Sequence, residues 1–96
     1  MRRIIPVNFP SDPVVTDAGV LGTALRAART GAGMTLEDAA ALLGVAKQTL
    51  NNLERGKDSV GLGLALKVAQ GLGVALFVAP ASQREQVRRR IKSAQQ

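Results

Sequence analysis

The sequence predicts a mainly α domain of four helices followed by one C-terminal strand. Three observations carry this. Leucine and alanine recur at helical spacing in four segments, each bounded by a capping residue or a glycine. Two of those segments are joined only by Gly44 and Val45. Beyond Gly73 the spacing changes from helical to alternating over residues 74–79.

The first helix spans residues 17–30. Asp17 can cap it, and Leu21, Leu25 and Ala28 lie at i, i+4 and i+7. Arg26 and Arg29 fall on other faces, and Gly31 and Gly33 end the helix. The second helix opens at Thr35, whose hydroxyl can accept from the amide three residues on, with Asp38 at the reciprocal capping position. Leu36, Ala39, Ala40 and Leu43 form its inner face, and Gly44 supplies the positive φ of a tight turn. The third helix starts near Ala46 and ends at Gly56. Val45, Leu50 and Leu53 point inward, which leaves Lys47, Gln48, Asn51 and Asn52 outside.

The fourth helix is capped by Ser59 and runs to about Leu72, with Leu62, Leu66, Ala69 and Leu72 at helical spacing. In the strand beyond it, Val74, Leu76 and Val78 share one face and Ala75, Phe77 and Ala79 the other. Both faces are apolar, so both should be buried. Pro80 closes the strand. A lone strand cannot satisfy its own backbone groups. Its partner is either the N-terminal segment or the same strand of a second copy across a two-fold axis. The second copy is the simpler solution, with Val74, Leu76, Phe77 and Val78 as the dimer strand.

Ninety-six residues suit one domain with appendages. Residues 1–16 read as an extended arm, because Pro6, Pro10 and Pro13 forbid a helix interior. Its Ile4, Ile5, Val7 and Phe9 are apolar enough to pack on the domain or on a partner chain. Residues 17–80 form the domain. Residues 81–96 form a basic tail of net charge +4, from Arg84, Arg88, Arg89, Arg90 and Lys92 against Glu85. Such a charge run is a solvated end or a phosphate attractor.

The composition argues against several functions. There is no Cys, hence no disulfide framework or thiolate metal site, and no His, the usual general base. The seven acids are scattered. No enzyme activity, metal or cofactor is expected. Arg2 and Arg3 resemble a signal n-region, but Pro6, Pro10, Asp12 and Pro13 break up the stretch where an apolar segment would have to lie. Residues 60–81 are nearly long enough to span a bilayer, yet Lys67 near the centre would cost roughly 2.5–3.5 kcal/mol. Core helix and strand are the better reading, and the expected setting is cytoplasmic with no membrane partner. The Gly61-Leu62-Gly63 and Gly71-Leu72-Gly73 runs lack the third glycine and preceding strand of a phosphate loop.

The net charge of +6 and pI near 11.2 favour an anionic partner. Two helices joined as tightly as the second and third form a helix-turn-helix, whose second helix lies in the DNA major groove. Asn is a poor surface choice for helix stability alone, and Gln48 adds a further amide beside Asn51 and Asn52. Asn and Gln can bond adenine in bidentate fashion, and Lys can bond guanine. Lys47, Gln48 and Asn51 are therefore candidates to read base edges in double-stranded DNA. Arg26, Arg29 and Arg55 are candidates to hold phosphates.

Residues 21–56 resemble the Cro/repressor-type (XRE) helix-turn-helix family. The matching elements are the capping Thr35, Ala39, the Gly44-Val45 turn, Leu50, and Leu53-Glu54-Arg55-Gly56. Four helices ending in one short strand also resemble the HipB-like antitoxin repressors, whose strands pair across the dimer. That resemblance covers residues 20–80. It places Ala46, Lys47, Gln48 and Asn51 at base-reading positions, with Asn52 beside them, and Arg26, Thr35, Thr49 and Arg55 at phosphate positions. Leu36 stands where the family often has Gln, and Ala46 where it often has a capping Ser. The implied function is that of a dimeric repressor reading a palindromic operator. The alternative is an antitoxin-type module that masks a toxin protein, with DNA binding secondary.

Overall fold

The computed structural model describes residues 3–95, and Asp17 starts its helical body as the spacing predicts. The Asp17 carboxylate accepts from the Val20 amide at 2.9 Å, capping α1 (Ala18–Gly31). Thr35 caps α2 (Leu36–Leu43), its hydroxyl accepting from the Asp38 amide at 3.0 Å; among the described residues the Asp38 carboxylate makes no reciprocal bond. Gly44 ends α2 in the left-handed region, with φ 70°, a backbone that glycine adopts without a Cβ penalty. The α3 helix (Lys47–Glu54) begins three residues later, with Ala46 as an N-cap that offers no side-chain bond.

α1, α2, α3 and α4 (Leu62–Gly71) enclose one core of Leu25, Ala39, Ala40, Leu50, Leu53, Ala65, Val68 and Ala69. Leu25 and Leu50 are wholly buried, each stabilising the fold by about 1.5–3 kcal/mol. The α1–α3 crossing is close because Gly22 has no side chain. A methyl there would sit 2.6 Å from the carbonyl oxygens of Leu53 and Glu54. α3 is thus set against α1 by shape before any polar contact is counted.

Helix α4 departs from expectation at its start and on its face. Its N-cap is Gly61, not Ser59. Val60 packs partly into the core, so the chain turns inward before the helix begins and leaves Ser59 too early to cap it. The buried face is Ala65, Val68 and Ala69, while Leu62 is 73% and Leu66 46% exposed. The small residues allow close approach of α4, and the two leucines are left on the outer flank.

The C-terminal strand is not formed among the described residues. After the Val74 amide donates to the Ala69 carbonyl at 2.8 Å, the amides of residues 75–79 find no protein acceptor among the described residues. Phe77 is 72% exposed and Val78 fully so, contrary to the expected burial of both faces. The physical cause is the lack of a ladder partner within one chain. The arm, which could have paired, is held on α1 instead: the Val7 amide donates to the Thr30 hydroxyl at 3.0 Å. On the arm Ile4 and Val7 are half-buried, while Ile5 and Phe9 face outward. The basic tail is ordered rather than solvated coil. A 3-10 turn (Ala81–Gln83) leads into α5 (Arg84–Ala94), which half-buries Val87, Arg88 and Ile91.

Candidate nucleic-acid interface

The outer face of α3 is set by what the inner face buries. Leu50 and Leu53 anchor the helix in the core. Ala46, Lys47 and Gln48 are then exposed, and Thr49, Asn51 and Asn52 are half-buried. Lys47 Nζ lies 3.0 Å from Glu37 Oε1 on α2, and Gln48 Nε2 donates to Asn52 Oδ1 at 3.0 Å. Both bonds are exposed, so breaking them to meet a ligand costs little, about 0–1 kcal/mol for the ion pair. The face presents amide donors and acceptors in a row, with one cation at its leading end.

A buried ion pair fixes the far end of the same helix. Arg29 on α1 donates from Nε to Glu54 Oε2 at 2.7 Å and from Nη2 to Glu54 Oε1 at 2.9 Å. Its Nη1 donates to the Met34 carbonyl at 2.8 Å, just before α2. One guanidinium therefore ties α1, the entry to α2 and the last residue of α3 together. Bidentate Arg–carboxylate geometry restricts orientation as well as distance. The helix that carries Lys47, Gln48, Asn51 and Asn52 is held along its inner face by Leu50 and Leu53 and at its far end by Glu54.

The Helix-turn-helix family model matches residues 25–78, over half of the chain. The chain belongs to the helix-turn-helix family. No curated protein matches it. Among solved structures, this helix-turn-helix chain is similar to a HipB–O4 20mer complex, with a TM-score of 0.63, 24% identity, and 71% of this chain and 96% of that chain covered. It is also similar to a HipA–HipB–O2–O3 complex, with a TM-score of 0.63, 22% identity, and 71% and 96% covered. These likenesses show a shared fold.

The expected phosphate residues of this helix-turn-helix divide into three groups. Arg26, in the second half of α1, and Arg55, the C-cap of α3, are exposed, and among the described residues neither has an ion-pair partner. With Asn51 they line one shallow cleft beside α3. Thr35 caps α2 and Thr49 is half-buried. Arg29 is different: its side chain is 9% exposed and its donors are taken by Glu54 and Met34, so it is a structural cation and not a free phosphate ligand. The sequence did carry a signal for this. Arg29 succeeds Leu21 and Leu25 at steps of four, which is the buried stripe of α1.

Sequence reasoning also missed Thr30, Asp12 and Arg88. Thr30 Oγ1 donates to the Arg26 carbonyl at 2.9 Å while accepting from Val7. Asp12 bonds Arg88 of α5 at 2.9 and 3.2 Å, and Arg88 also contacts Glu85. The Arg88 guanidinium, then the Val14 amide, hold the Asp12 carboxyl below its ordinary pKa. These contacts join the arm to α1 at one point and to α5 at another. Among the described residues no helix is long and apolar enough to cross a membrane.

Proposed function

We propose that this helix-turn-helix chain is a sequence-specific DNA-binding transcriptional regulator: a dimeric autorepressor of a palindromic operator, acting in the cytoplasm as a binding protein and not an enzyme. The observation that carries the reading is the outward amide face of α3, Lys47 to Asn52, held by buried Leu50, Leu53 and the Arg29–Glu54 pair. Lys47, Gln48 and Asn51 read base edges, with Ala46 against the groove and Asn52 bracing Gln48. Arg26, Thr35, Thr49 and Arg55 take phosphates. The fold likeness to HipB–operator complexes supports the same assignment.

The dimer rests on segment 75–79, whose amides find no acceptor among the described residues. A second copy supplies the missing ladder, and Leu76, Phe77 and Val78 leave solvent as the two strands form, with Val74 already half-buried at the start of the strand. Half-site centres then lie about 34 Å apart, or a low multiple of that. Gln48→Ala relaxes base preference at one operator position, with a loss of about 1–3 kcal/mol. Gel shifts on the operator and its point variants test this, and an unchanged preference in Gln48→Ala contradicts the assignment.

A second reading has support of its own. Ile5 at 73% and Phe9 at 52% exposure are apolar side chains on the arm that no described residue covers. An antitoxin-type role, masking a toxin protein while repressing its own gene, would use those side chains. The likeness to a HipA–HipB–operator assembly supports it at the level of fold. Co-purification with the product of the adjacent gene separates the two readings.

A further inference from the structure

We propose that the N-terminal arm is a built part of the DNA interface, with Arg3 as a phosphate ligand beside the recognition helix. This rests on the DNA-binding reading and adds a segment outside the matched 25–78. A cleft of 350 Å³ opens between the arm and the helix-turn-helix, and Arg3, Arg26, Thr35 and Lys47 line it. Those residues come from four places in the chain: the arm, α1, the cap of α2 and the start of α3. Arg3, Arg26 and Lys47 supply three cations there, beside the Arg29 that Glu54 neutralises and the apolar Ile4, Ile5 and Leu36. Among the described residues Arg3 and Arg26 have no ion-pair partner, and Lys47 has only the exposed Glu37. Cations so grouped repel one another unless an anion lies between them. A backbone phosphate flanking the groove that α3 enters has the right charge and position.

The arm is held in place for this. The Thr30 hydroxyl grips the Val7 amide and is itself fixed to the Arg26 carbonyl, so one side chain sets the arm next to a phosphate ligand. Thr30 is 6% exposed, which keeps water from competing for that bond. Further along, Asp12 is bridged to Arg88, and Pro6, Pro10 and Pro13 restrict the chain between and around the anchors. Ile4 is half-buried against the body, leaving Arg3 exposed at the cleft mouth. Little ordering remains to be done on binding, so the Arg3 charge acts at near full value.

The test uses full-length protein and a duplex selected by it from a random library, beside a scrambled duplex of equal length. Arg3→Ala should weaken binding severalfold on both duplexes alike. It should also reduce the slope of log affinity against log salt by about one per bound chain. Arg3→Lys should restore the slope, and Thr30→Val, which frees the arm, should mimic Arg3→Ala while leaving the α-helical spectrum intact. Unchanged affinity and slope in Arg3→Ala, with wild-type selectivity present, overturns the arm contact and leaves the regulator reading standing. A loss confined to the selected duplex overturns the phosphate assignment, because it makes Arg3 a base reader. If the wild-type protein selects no duplex at all, both readings fall.

Discussion

Removing the Glu54 carboxylate should unfold this protein at a much lower temperature. Glu54 and Arg29 side chains are 4% and 9% exposed, and two hydrogen bonds of 2.7 and 2.9 Å join them. In Glu54→Ala the guanidinium keeps one bond, to Met34, and stays buried with its charge uncompensated. Breaking a buried pair by deleting one partner costs about 3–5 kcal/mol. A domain of this size loses about 4–8 °C of Tm per kcal/mol, so the midpoint should fall by at least about 12 °C. The chain has no Trp or Tyr, so the assay is thermal melting monitored by far-ultraviolet circular dichroism. The double variant Arg29→Met, Glu54→Leu should recover most of the loss, since apolar residues of similar volume replace such pairs at little cost. A Glu54→Ala midpoint within about two or three degrees of wild type, far short of that fall, would refute the reasoning. Arg29→Lys provides a second check. If it lowered DNA affinity without lowering Tm, Arg29 would be a phosphate ligand after all.

The same geometry gives two further outcomes. In sedimentation equilibrium the wild-type chain should behave as the proposed dimer and Phe77→Asp as a monomer, since the substitution places charge at the centre of the proposed strand pairing; a dimer that persists in Phe77→Asp would place the interface elsewhere. The arm should loosen in acid. The Asp12 carboxyl lies below its ordinary pKa in the folded protein, so its contact with Arg88 stabilises the fold above that ordinary value and is lost as pH falls through the folded one. Protection of the Val14 amide, which donates to Asp12, should therefore fall below about pH 4, and in Asp12→Asn it should no longer vary with pH.

The capping residues and turn glycines make the first three helices legible. Asp17, Thr35 and Gly44 act locally, through bonds or φ values within one turn, and each does what its residue type implies. The buried leucines of α3 are legible for the same reason, and they define the proposed recognition face by exclusion. The features that escape depend on distant partners. Arg29 reads as exposed from its charge, though its spacing puts it with Leu25; only the fold brings Glu54 to it. The tail reads as a charge run, yet its Val87 and Ile91 form a short apolar stripe and its Arg88 meets Asp12 in the arm, 76 residues away. Alternation over residues 74–79 signals a strand, but a ladder needs a partner that one chain does not supply. On α4 the spacing alone does not separate the leucine stripe from the alanine and valine stripe beside it, and close packing selects the smaller residues.

The most direct measurement is the structure of the full-length protein on a duplex it has selected. The account requires each α3 in a major groove, with Gln48 and Asn51 within hydrogen-bonding distance of base edges and the Arg29–Glu54 pair intact behind them. If the Lys47 to Asn52 face is instead turned from the duplex, or closed within the dimer, α3 is not the recognition helix and the proposed function is wrong.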